Sequence, residues 1–146
     1  MAILGFIKDI NHSGLMDFWK LQEHEIPSSP GAYILIAQGN SHFSYPIGSS
    51  PVYYIGQSKN LRSRLREHFK YATQAKHNRQ LPLYWPRYEF AAAYGGRYCY
   101  MRALQGLSPK VLEEILLAKF AKKHRSFPIA NGSGTWKRVG ELIENV

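Results

Sequence analysis

Residues 52–69 read VYYIGQSKNLRSRLREHF. The stretch 52–55 is β-branched and aromatic, the composition of a strand. Beyond Gly56 the period changes. Leu61, Leu65 and Phe69 recur at i, i+4 and i+8, one apolar stripe of a helix over 59–71. Ser58 or Asn60 can cap its start. At about 100° per residue, Arg64 and His68 fall on one shoulder of the stripe, and Arg62 and Arg66 on the other. Glu67 and Lys70 point away. A strand thus delivers the chain straight into a cationic helix, with two tyrosines at the junction. The wheel does not say which shoulder matters, and a solvated basic face is the plain alternative for either.

Working outward, AYILIA (32–37) is a continuous apolar run that reads as a buried strand. GNSHFSYPIGSS (39–50) is turn-rich, so 32–37 and 51–56 pair most economically as an antiparallel hairpin with a long loop. Residues 15–24 carry apolar positions that suit a short amphipathic helix, ended by the prolines of IPSSPG. Residues 72–86 read as a loop. RYEFAAAY (87–94), a Gly95-Gly96 turn and RYCYMRA (97–103) read as a second hairpin. Ser108-Pro109 opens a helix to about residue 123. A loop over 127–134 and a short helix over 135–146 follow. The expected architecture is a single α+β domain over 1–146, a small, mainly antiparallel sheet flanked by helices.

The formal net charge is +9, and its distribution sharpens it. Between residues 26 and 140, seventeen basic residues face only Glu67, Glu89, Glu113 and Glu114, a balance of +13. Such a field attracts polyphosphate, above all nucleic acid. A merely basic soluble protein is the bland alternative. The single cysteine, Cys99, excludes an internal disulfide and a cysteine-based zinc cluster, and fits a reduced, cytoplasmic setting. No stretch is long enough to span a membrane, and the first residues turn polar too early for a signal peptide.

Gly31-Ala32-Tyr33, then Tyr54-Ile55-Gly56, then KNLRSRLREHF, resemble the motifs of the GIY-YIG nuclease family in order and spacing. The resemblance covers about residues 29–131. It departs at Ala32, where the family usually has isoleucine. It implies a DNA endonuclease dependent on Mg²⁺ or Mn²⁺, with Arg64 as the catalytic arginine and His68 as a histidine many members carry. It also implies a metal-holding glutamate on a later helix. Glu113 and Glu114 are the candidates, since Glu67 faces away and Glu89 lies on an expected strand. On the 108–123 wheel the bulky residues Val111, Leu112, Ile115, Leu116 and Phe120 define the buried side, with Glu113 at its margin and Glu114 on the thinner side. A charge kept at an apolar margin needs a partner, and Leu116 and Leu117 follow Glu113 in the family's manner. Glu113 is therefore favoured over Glu114. Asn131 resembles the asparagine closing the motif set, although Asn-Gly is also an ordinary turn.

The chemistry implied is phosphodiester hydrolysis. Glu113 would hold the metal, Arg64 would bind phosphate oxygens, and Tyr54, with Tyr33 beside it, would position or deprotonate the attacking water. A phenol needs a neighbouring cation to act as a base, and whether Tyr54 or His68 takes the proton stays open. Lys59, Arg62, Arg66, Lys70 and Asn131 are expected to contact DNA. Tyr53, alternating with Tyr54, should face the other side of the sheet. Tyr84, Trp85, Tyr88, Tyr98 and Tyr100, interleaved with Arg79, Arg87, Arg97 and Arg102, serve equally well for stacking on bases or for packing. Target specificity would come from inserted loops, a partner protein or a homodimer. The competing readings are a non-catalytic nucleic-acid-binding module and a basic RNA-binding or assembly protein.

Overall fold

A computed structural model describes residues 3–77 and 86–131. The fold is α+β. Four strands form one antiparallel sheet: β1 (Met16–Asp17), β2 (Gly31–Ala37), β5 (Val52–Ser58) and β6 (Gly95–Arg102), in the order β1-β6-β2-β5. A two-stranded ribbon, β3 (Phe43–Ser44) with β4 (Ser49–Ser50), lies within the turn-rich segment. The helices are α1 (Leu61–His77), α2 (Pro86–Tyr94) and α3 (Pro109–His124). None among the described residues is long and apolar enough to cross a membrane.

Strand β2 is central and wholly buried, as a continuous apolar run requires. Its alternate residues feed two cores. Ala32, Ile34 and Ile36 join Val52, Ile55 and Cys99 beneath Leu112, Leu116, Leu117 and Phe120 of α3. Tyr33 and Leu35 join Tyr53, Tyr98, Leu61, Leu65 and Phe18 on the other face. Cys99 is a core thiol, and burial pushes its pKa up to about 12.

The expected β2–β5 hairpin is present, with one irregularity that matters. Leu35 pairs with Tyr54, but Ile36 pairs with Val52, so Tyr53 is an extra, bulged residue. The bulge cancels the alternation, and Tyr53 and Tyr54 both belong to the core on the α1 face. Strict alternation had put Tyr53 on the other side. Gly56 also works differently from a turn residue, because β5 runs through it to Ser58. It faces Tyr33 across the strand pair, and a Cβ there would collide with the Tyr33 hydroxyl and with Tyr54.

Five further expectations fail for local reasons. Residues 15–24 are not one helix. Met16–Asp17 pairs with β6, Asp17 caps a 3-10 turn over Phe18–Lys20 by accepting from Trp19 N at 3.0 Å, and Glu23–Glu25 forms another. Residues 87–94 form α2, not a strand. Pro86 starts it, three consecutive alanines favour helix, and Tyr88 and Ala91, one turn apart, are its buried face. Gly95-Gly96 is accordingly no hairpin turn but the beginning of β6. There Gly95 abuts the Ala91 carbonyl, Gly96 abuts Gln38, and Gly96 is a second bulge opposite the end of β2. Helix α1 runs on to His77, into the expected loop. On α3, Val111 and Ile115 lie at the surface while Leu112, Leu116, Leu117 and Phe120 are buried. The expected 135–146 helix, and Arg79, Tyr84 and Trp85, lie outside the described residues.

Candidate active site

The start of α1 is fixed from both sides. Asn60 caps it, its side chain accepting from Ser63 N at 3.0 Å. The next free amides of the first turn are not left to water: Leu61 N donates to Ser29 O and Arg62 N to Pro27 O. The segment entering β2 and the helix leaving β5 are thereby tied together. This sets the rotation of α1 and decides between its two shoulders.

One shoulder faces the tyrosines. His68 is fully buried, and its Nε2 is 2.7 Å from the Tyr33 hydroxyl. The His68 ring is edge-on to Tyr33 at 5.2 Å and 5.6 Å from Tyr54, while the two phenol rings are 6.0 Å apart. Arg64, one turn earlier, is close enough for its charge to act on Tyr33, Tyr54 and His68. The other shoulder faces the 23–26 segment. Arg62 Nε donates to the Ile26 carbonyl at 2.8 Å, and Arg66, exposed, pairs with Glu23 at 3.4 Å. Arg62 and Arg66 therefore stand apart from the tyrosine cluster, and Arg62 serves as a brace on the chain before β2. Lys59 and Lys70 are exposed, with Lys70 beside the Tyr71 ring.

Glu113 comes from α3, which covers the opposite face of the sheet. Its negative charge raises the Tyr54 pKa. The site is thus assembled at the edge strand β5 from helices on both faces. Asn131 is close by but already engaged. Its side chain accepts from Ile55 N at 3.0 Å and donates to Ile55 O at 2.8 Å. It satisfies the edge backbone of β5 as a neighbouring strand would. Asn131 is therefore a clamp on the strand carrying Tyr54.

Electrostatics separate the roles. Burial, then the charges of Arg87 and Arg64, push the His68 pKa down to about 3. The ring stays neutral and is a weak base, and its Nε2 is occupied by Tyr33. Burial holds the Tyr33 pKa well above the ordinary phenol value, and neighbouring Tyr54 adds to this. Tyr54 is also raised, mainly by burial and less by Glu113, but it is only half-buried and has three opposing influences: Arg87, Arg64 and a hydrogen bond with Tyr33. The Tyr33 hydroxyl thus lies between His68, which it meets at 2.7 Å, and the neighbouring Tyr54 ring. If His68 Nε2–H donates to Tyr33, the Tyr33 O–H is left to turn toward Tyr54. That sense stabilises a phenolate at the exposed end. Tyr54 is the phenol placed to meet water, and Tyr33 and His68 hold it in position.

No group of three or more His, Cys, Asp and Glu that could hold a metal exists among the described residues. The carboxylate of Glu113 fits a hard cation that keeps most of its waters and takes further oxygens from substrate phosphate. Arg87, in the first turn of α2, was not foreseen as a site residue. Its guanidinium lies 5.9 Å from the Tyr54 ring centroid and 4.9 Å from that of Tyr88. Reading 86–94 as a proline-started, alanine-rich helix would have placed it at the helix start. No family model, curated protein or solved structure matches the chain.

Proposed function

We propose that this protein is a divalent-metal-dependent DNA endonuclease of the GIY-YIG type, acting in the cytoplasm. The observation supporting this reading is the convergence at β5 of Tyr33, Tyr54, His68, Arg64 and Glu113, which come from four separate elements. Tyr54 orients the attacking water and, as a phenolate favoured by the charges of Arg87 and Arg64, takes its proton, while Tyr33 and His68 hold it in position. Arg64 binds the scissile phosphate, where a planar, permanently charged fork pairs with two phosphate oxygens. Glu113 would hold Mg²⁺ or Mn²⁺, which supplies Lewis acidity at the phosphate and the leaving 3′-oxygen. The basic surface on either side attracts the DNA backbone regardless of sequence.

The test is incubation with supercoiled plasmid and Mg²⁺ or Mn²⁺, with and without EDTA. The expected result is metal-dependent nicking or linearisation, suppressed by EDTA and by Arg64→Ala. DNA binding without cutting under either metal would refute the nuclease and leave a non-catalytic binding module on the same basic surface.

A further inference from the structure

A second cation stands at the tyrosine pair beside the arginine of the KNLRSRLREHF segment. Of the two arginines, Arg87 acts more strongly than Arg64 on both Tyr54 and His68. Its guanidinium is half-buried and stands over the Tyr54 ring at 5.9 Å and the Tyr88 ring at 4.9 Å. Tyr88 is buried and its hydroxyl donates to Glu67 at 3.3 Å, so the platform beneath Arg87 is itself fixed. Two permanently charged groups from different helices are therefore brought to one pair of phenols. Like charges gathered in a partly desolvated place are costly unless an anion joins them. Glu113 also acts on Tyr54. A phosphodiester chain brings oxyanions that both guanidinium groups can pair with, which a neutral substrate does not.

We propose that Arg87 is a substrate-binding residue that, with Arg64, clamps phosphates of a nucleic-acid strand on either side of Tyr54. Stacking on two rings restricts its rotamers, so little is lost when the fork closes on an oxyanion. This deepens the endonuclease reading and rests on it for the rate effect, but the phosphate contact can be measured without any cutting.

The experiment compares wild type, Arg87→Gln and Arg87→Lys. Affinity for a short labelled duplex is measured in EDTA across a range of KCl. Nicking is then measured with Mn²⁺. A direct phosphate contact predicts that Arg87→Gln flattens the plot of log affinity against log salt by about 0.9. It also predicts a fall in kcat/KM of about 10²-fold or more. Arg87→Lys should keep the salt slope yet lose most of the rate, because a point charge cannot replace the fork. If Arg87→Gln does not fold, the lysine variant decides: full nicking activity there overturns the proposal. Folded Arg87→Gln with unchanged slope and rate overturns it as well. A wild type that binds but never nicks, with the slope flattened in Arg87→Gln, upholds the phosphate contact and refutes the endonuclease instead.

Discussion

The Tyr33 hydroxyl and His68 Nε2 meet at 2.7 Å in a place from which solvent is almost wholly excluded. The contact ties the central strand to α1 and keeps an imidazole neutral in the core. That neutrality has a thermodynamic signature. In the unfolded chain a histidine takes its proton near pH 6.5, while folded His68 resists until about 3. Between these values the unfolded state binds more protons, so stability rises with pH. The contribution is complete above pH 6.5 and gone below 3. Urea unfolding of wild type should show a steady loss from pH 6.5 downward, at most about 5 kcal/mol from this group. His68→Gln should be less stable at pH 7 and show a flatter profile below it. Parallel profiles for the two proteins would contradict the assignment.

Gly56 should not tolerate even a methyl group. A Cβ there meets the Tyr33 ring and hydroxyl and approaches Tyr54 Cε2 at 2.8 Å. Both rings are packed on other aromatics, so neither can simply swing away. Gly56→Ala should cost about 1–3 kcal/mol in chemical denaturation. Nicking should fall by more than the change in folded fraction explains, since the displaced groups are those that hold the water.

Asn131→Ala removes both partners of the Ile55 backbone at once. The expected loss is about 1–3 kcal/mol, measured by thermal or urea unfolding, with amide exchange at Ile55 accelerated. The salt dependence of DNA binding should not change. A flattened salt slope with intact stability would restore Asn131 to the list of phosphate contacts.

The two adjacent glutamates of α3 should separate cleanly. Glu113→Gln should reduce Mn²⁺-dependent nicking by about 10²-fold or more while preserving metal-free DNA binding. Glu114→Gln should remain active. The opposite pattern would move the metal to Glu114 and require a different account of how Tyr54 senses a carboxylate.

Much of this arrangement is legible in residues 31–69, where periodicity changes once and each segment has a single dominant pattern. The hairpin, the cap at Asn60 and the two shoulders of α1 all follow from it. What periodicity could not supply was rotation, since the shoulders are equivalent until the amides of Leu61 and Arg62 are tied to Ser29 and Pro27. The bulge at Tyr53 was hidden for a similar reason: alternation assumes one residue per partner, and a bulge is visible only as a pairing register. Residues 86–94 misled because aromatic residues suggested a strand while the alanines and Pro86 favoured helix. Arg87 was misplaced with that element. For Asn131 the sequence offers only a motif resemblance and an Asn-Gly turn, because its contacts lie 76 residues away.

The bulge at Tyr53 also decides which loss of chain length the hairpin can absorb. Tyr53 is the extra residue, so losing one tyrosine of the pair leaves Leu35 opposite a tyrosine and Ile36 opposite Val52, a regular ladder with the facing of both ends intact. What is lost is one aromatic ring from the core on the α1 face. Losing Ile55 instead brings Tyr54 opposite Ile34 and turns it to the other face. Across a library of in-frame deletions, loss of one tyrosine should therefore be tolerated better than loss of Ile55. The neighbouring turn over 39–42, where nothing lies within 4 Å of a Cβ at Gly39, should accept deletions freely.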